Sequence, residues 1–168
     1  MERCKTGNAS DHYLSVARSD GPVSALRPMR ILIVEDEGLI AMEIEDTVVE
    51  LGHDVVGWEA SADSAIASFD AHLPDLILLD IELLQSSGLE VARHVQRATK
   101  SRFVFLTANP AKLEGEFFGA IGVMSKPFTS ESLKASLHYL HEGVCDPPPK
   151  RGLPHGLRLG PDYNAIWA

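Results

Sequence analysis

Cysteine is scarce in this chain of 168 residues: Cys4 and Cys145 are the only two. That excludes a disulfide framework and a zinc site made of four cysteines. Long apolar runs are missing as well. Stretches such as Ile31 to Val34 and Leu76 to Leu79 fall far short of the ~18 residues that a membrane span needs, so no membrane crossing is expected. Met1 to Asp11 is polar and lacks the apolar stretch of a secretory signal, so a cytoplasmic location is expected. Basic residues form no run and are outnumbered by acids, 15 to 24, for a net charge of −9. Nucleic acid, which needs concentrated Lys and Arg, is therefore not an expected partner.

What is present is an ordinary globular composition, 45% hydrophobic and 23% charged, unevenly arranged. Residues 30–143 carry eight Lys or Arg against nineteen Asp or Glu, whereas both flanks are close to neutral. Residues 1–29 are rich in Ser, Asp and Gly without a sustained period and read as a flexible extension; Met29, just before the first apolar run, is a candidate translation start. Residues 144–168 contain Pro147-Pro148-Pro149, Pro154 and Pro161 and read as an extended tail without a core of its own. Near the tail's end Trp167 is either a disordered terminus or a latch.

From Arg30 onward, apolar runs of strand length alternate with amphipathic stretches of helix length, the pattern of a parallel sheet wrapped by helices. Five strands are expected, at Ile31–Val34, Val55–Trp58, Leu76–Leu79, Phe103–Leu106 and Val123–Ser125; most are continuously apolar, as for strands covered on both faces. Ile40, Ile44, Val48 and Leu51 form one helical stripe closed by Gly52. Ser61 caps a second helix with stripe Ala62, Ala65, Ile66 and Phe69. A third runs from about Gly88 to Thr99 with Leu89, Ala92 and Val95 inward, and a fifth follows Thr129 and buries Leu133, Leu137 and Leu140. The fourth, between Thr107 and Val123, has a glycine in mid-segment and room for only two or three turns, so it is expected to be short or frayed.

In an open parallel sheet the ligand site lies beyond the carboxyl ends of the strands. The residues there are Glu35 and Asp36, Asp80, Thr107, and Lys126-Pro127. Carboxylates gathered in one crevice repel, by about 4 kcal/mol per pair at 4 Å and an effective dielectric near 20. A divalent cation relieves that repulsion, and oxygen-only ligands with open positions favour Mg²⁺. Thr107 offers a hydroxyl donor and Lys126 a point charge, both suited to phosphoryl oxygens. The set reads as a phosphoryl acceptor with a carboxylate nucleophile.

The motifs I-L-I-V-E-D-E at 31 to 37, L-I-L-L-D at 76 to 80, L-T-A at 106 to 108 and K-P-F at 126 to 128, with Gly88 eight residues after Asp80, resemble the receiver domain of bacterial two-component response regulators. The resemblance spans residues 29 to 143. It implies a flavodoxin-like (βα)5 doubly wound sheet with strand order 2-1-3-4-5, and phosphorylation of Asp80 by a histidine kinase or histidine phosphotransfer protein. It further implies Mg²⁺ bound directly by Asp36 and Asp80, by Glu35 mainly through water and by the backbone carbonyl of Glu82. Thr107 and Lys126 would contact phosphoryl oxygens, and the Lys126-Pro127 peptide would be cis. With no appended effector expected, the chain would act as a single-domain regulator, altering a protein contact or serving as a phosphate sink, and would not be an enzyme.

Three departures accompany the match. Val123 stands where the family usually has an aromatic residue, Leu84 where proline is common, and the stretch from Thr107 to Lys126 is short. A phosphatase of the haloacid-dehalogenase type is the rival reading, since Asp80-Ile81-Glu82 faintly resembles its D-x-D. Against it, the nucleophile would lie on the third strand and no cap insertion encloses a substrate. A degenerate receiver serving as a scaffold is a third reading. The histidines read blandly: His138 and His141 are a half-exposed pair on one helix, and His53, His72 and His94 fall in loops or on helix surfaces. Phe117 and Phe118 read as core or cover for the short helix.

Overall fold

All five expected strands form one parallel sheet in the computed structural model, which describes residues 26–98, 102–113 and 115–167. The strands are β1 (Arg30–Val34), β2 (Asp54–Glu59), β3 (Leu76–Asp80), β4 (Arg102–Thr107) and β5 (Gly122–Ser125), in the order β2-β1-β3-β4-β5. The connecting helices are α1 (Gly38–Glu50), α2 (Ala62–His72), α3 (Gly88–Gln96) and α4 (Ser130–Cys145). Every residue of β3 is buried and so are four of the five of β1, because helices cover both faces of the sheet. Alternation along each strand then divides the core in two. Ile31, Ile33, Leu76 and Leu78 face α1 and α4, while Leu32, Val34, Ile77 and Leu79 face α2 and α3.

Local signals set the helix ends. The hydroxyl of Ser61 accepts from the N–H of Ser64 at 3.3 Å, and Thr129 and Ser132 form a reciprocal box at the start of α4. Gly52 takes the left-handed conformation, φ +79°, after α1. Of the expected inward positions of α3, Ala92 and Val95 are buried and Leu89 is half-buried; Val91 is the further buried residue. The fourth helix of the pattern is reduced to one 3₁₀ turn, Pro110–Leu113, so the fifth is α4.

Two expectations are corrected. The first concerns the C-terminal tail, which is not a coreless extended chain. Leu157–Leu159 forms a sixth strand, β6, antiparallel to β5, and Pro161–Trp167 forms a helix, α5. Leu157, Leu159 and Trp167 enter the core on the α4 side. Proline stiffened the connection without preventing a strand at the sheet edge, where the ladder needs donors from only one side. The second correction is at the amino terminus. Met29 is fully buried, and the Arg27 guanidinium forms two hydrogen bonds to the Asp75 carboxylate at 2.7 and 2.8 Å. The expected extension therefore joins the fold at least from Arg27; residues 1–25, and Cys4 among them, lie outside the described residues. His53 lies in the loop between α1 and β2, as expected, and is buried there. It is 6% exposed, and its ring meets that of His141 edge-on, with centroids 4.5 Å apart.

Candidate functional site

Strand register assembles the acidic rim. Val34 pairs with Leu79, so Glu35 and Asp80 leave the sheet side by side. Asp80 pairs with Leu106 and Thr107 with Ser125, which brings Thr107 and then Lys126 to the same end. The result is a cluster in which one carboxylate oxygen from each of Glu35, Asp36 and Asp80 lies within 4.8 Å of the others. Lys126 extends between them, its Nζ 2.6 Å from Glu35 Oε2 and 2.6 Å from Asp80 Oδ2. The Lys126-Pro127 peptide is cis.

All of these groups but the half-buried Asp36 are held away from water. Glu35 and Thr107 are fully buried, Asp80 is nearly so, and the Lys126 side chain is 8% exposed. Burial pushes the Glu35 carboxyl above its ordinary range, and the Lys126 ammonium pulls it back without cancelling the effect. Burial opposes the charge on Lys126, but the hydrogen bonds it donates to Asp80 and Glu35 outweigh it and hold the ammonium above its usual value. One ammonium thus meets two of the carboxylates, Glu35 and Asp80, beside a third, the half-buried Asp36. A cluster with that imbalance attracts further positive charge.

Backbone groups fix the geometry of the acids. Asp80 Oδ1 accepts from the N–H of Glu82 at 3.0 Å, and Glu35 Oε1 from the N–H of Glu37 at 3.2 Å. Thr107 Oγ1 accepts from the N–H of Asn109 at 3.1 Å. The Glu82 side chain is turned to an ion pair with Lys112 on the 3₁₀ turn.

Two positioning residues carry weaker sequence signals. The Trp58 indole N–H donates to the Glu35 carbonyl at 2.8 Å, a cross-strand contact over 23 residues that no local motif announces. Gly88 has a visible signal, its spacing from Asp80, and the structure supplies the reason. A Cβ at Gly88 would lie 1.9 Å from the Asp80 carbonyl oxygen, so only glycine lets α3 start against the strand that carries the acid.

Among the described residues, no helix is long and apolar enough to cross a membrane. Comparison with known proteins agrees with this architecture. The sequence model of the response regulator receiver domain matches residues 31–138. The chain therefore belongs to the response regulator receiver family. It is 37% identical over 108 residues to the phyllosphere-induced regulator PhyR of Methylorubrum extorquens, covering 62% of this chain and 40% of that protein. The solution structure of the PhyR receiver domain from Erythrobacter litoralis superposes with a TM-score of 0.64 at 29% identity, covering 75% of this chain and 97% of that one. The crystal structure of the anti-anti-sigma factor PhyR from Bartonella quintana gives 0.57 at 37% identity, covering 67% and 46%. The chain spans about half the length of the curated relatives it matches.

Proposed function

We propose that the chain is a phosphorelay receiver in which Asp80 accepts a phosphoryl group from a histidine kinase or histidine phosphotransfer protein. The observation that carries this reading is the cluster of Glu35, Asp36 and Asp80, in which Lys126 bridges the buried Glu35 and Asp80 while Asp36 is half-buried. A carboxylate oxygen of Asp80 attacks phosphorus, the P–N bond to the donor imidazole breaks, and the leaving nitrogen keeps the electron pair. Lys126 and the Thr107 hydroxyl then contact the phosphoryl oxygens, which gather charge that a single cation and a hydroxyl donor are placed to offset.

Mg²⁺ fits the donor set, since all three side chains offer hard oxygens and leave positions open for water and a phosphoryl oxygen. Asp36 and Asp80 would hold it directly, Glu35 mainly through water, and the Glu82 carbonyl would complete the protein's share. The ion, when bound, supplies charge neutralisation for the transferring group.

The outcome is a changed protein contact or a phosphate sink. A protein contact is in keeping with similarity to a PhyR described as an anti-anti-sigma factor. Acetyl phosphate should label the chain in an acid-labile form with about one phosphoryl per molecule, and Asp80→Asn should remove the label entirely. Labelling of Asp80→Asn at the wild-type level overturns the assignment. Steady turnover of a generic phosphomonoester would favour the phosphatase reading instead.

A further inference from the structure

The C-terminal segment does more than close the domain; it shows what the β5 edge and the groove beside α4 can bind. Leu157 and Leu159 flank Arg158 in β6, pairing with Met124 and Gly122 across the antiparallel ladder. Both leucines are buried on the α4 side, while Arg158 emerges on the other face and stacks over Phe117 at 5.2 Å. The strand approaches closely because Gly122 has no side chain: a Cβ there would lie 2.3 Å from the Arg158 carbonyl oxygen. Further on, Trp167 sits in a notch at Gly143 of α4. A Cβ at Gly143 would fall 2.3 to 2.7 Å from three atoms of the indole. Tyr139 and Tyr163 line the same notch, with ring centroids 6.0 and 4.8 Å from Trp167.

This occupant is seated incompletely. A cavity of about 440 Å³ separates the 3₁₀ turn from the start of β6, lined by Pro110, Ala111, Gly156 and Leu157 among others. Another of about 560 Å³ reaches from Tyr163 and Val144 to Gln96 and Gly119. The segment also leaves Ile166 64% and Leu153 50% exposed. Both are clefts open to solvent, so the segment is joined to the domain chiefly through Leu157, Leu159 and Trp167. A three-residue strand is, besides, a short ladder from which to hold an edge.

We infer that the β5 edge and the Gly143 notch form a docking groove for an extended protein segment bearing two alternate aliphatic residues followed by an aromatic one. Residues 146–167 are its tethered internal competitor. An unpaired edge strand is a template for strand addition, and the tail's own pattern defines the partner's chemistry. Only the trigger rests on the reading of Asp80. β5 runs directly into Lys126 and pairs with β4 as far as Thr107, so a phosphoryl group drawing these two residues inward acts on the strand that holds β6.

The test uses the full chain and a fluorescein-labelled peptide of residues 152–168. Trp167→Ala, which empties the notch without changing α4, should bind the peptide at least tenfold more tightly than wild type by fluorescence anisotropy. A peptide carrying Leu157→Asp and Leu159→Asp should not bind. Acetyl phosphate with Mg²⁺ should move wild type toward the variant's affinity and speed amide exchange at 157–159, and neither change should occur in Asp80→Asn. Equal peptide affinity of wild type and Trp167→Ala overturns the groove. Self-association of Trp167→Ala in place of peptide binding assigns the groove to a second copy and overturns the partner named here. Labelling at Asp80 without faster exchange at 157–159 overturns the coupling. Absence of labelling at Asp80 overturns the phosphorelay reading alone and leaves the peptide result standing.

Discussion

The two ends of the sheet treat charge in opposite ways. At the carboxyl end, three carboxylates gather around one ammonium, which pairs with the buried Glu35 and Asp80 and leaves the half-buried Asp36 without it. At the amino end, Asp75 is matched by the guanidinium of Arg27 and by the N–H of Arg30 at 2.8 Å, and the neighbouring His53 is buried among other groups that favour its neutral form. The balanced end lowers the energy of the fold. The unbalanced end holds like charges together, a cost that any ligand bringing positive charge can recover. Balanced and unbalanced charge thus lie at opposite poles of one sheet.

The largest effect expected is at the acidic pole. Gly88→Ala forces a methyl group into the Asp80 carbonyl and should destabilise the chain by about 3 kcal/mol or more, read as a fall in the urea midpoint; an unchanged midpoint breaks the claim that strand and helix meet there without slack. Next, Mg²⁺ at a hundredfold excess over its dissociation constant should add about 2.7 kcal/mol to stability. Asp36→Asn should abolish that gain in a melting experiment, and an undiminished shift would remove Asp36 from the ligand set.

At the balanced pole the effects are smaller and depend on pH. Burial, together with His141 and His138, lowers the His53 pKa to about 4. Because the folded value lies below the unfolded one of about 6.5, stability is fully present above pH 6.5 and is lost as pH falls toward 4. The loss between pH 7 and pH 5 should be roughly 2 kcal/mol. In His53→Asn, whose amide oxygen can accept from the Met29 N–H in place of Nδ1, that part of the pH dependence should vanish from the unfolding curves. Arg27→Ala should cost least, about 1 kcal/mol, since the guanidinium is 61% exposed and screened. Its hydrogen bonds hold the Asp75 carboxyl below the ordinary range, so the contribution exists above about pH 4 and fades as pH falls through the folded value. A difference between Arg27→Ala and wild type that grew below pH 4 would reverse the sign of this assignment.

What could be read from the sequence follows from how local each signal is. The apolar runs marked β1 to β5 within a residue or two, and Ser61 and Thr129 marked helix starts, because a strand's burial and a cap's hydroxyl are properties of adjacent residues. The rim residues were legible for the related reason that a parallel sheet gathers whatever follows its strands. The C-terminal strand was not. Leu157-Arg158-Leu159 is too short to show a period, and its burial depends on Gly122 some 35 residues earlier. The pairing of Arg27 with Asp75 and the approach of His53 to His141 were hidden likewise, since each joins residues far apart in the chain. The reduction of the fourth helix to a single turn was visible as a shortage of residues and a glycine in mid-segment.

The indole of Trp58 donates to the backbone carbonyl of Glu35 itself, a member of the rim. Ultraviolet emission from that ring is consequently sensitive to any adjustment of the strand end, and the molecule carries a native optical gauge of its own acidic pole. With the second indole removed by Trp167→Phe, an ion entering that pole should shift the emission of Trp58.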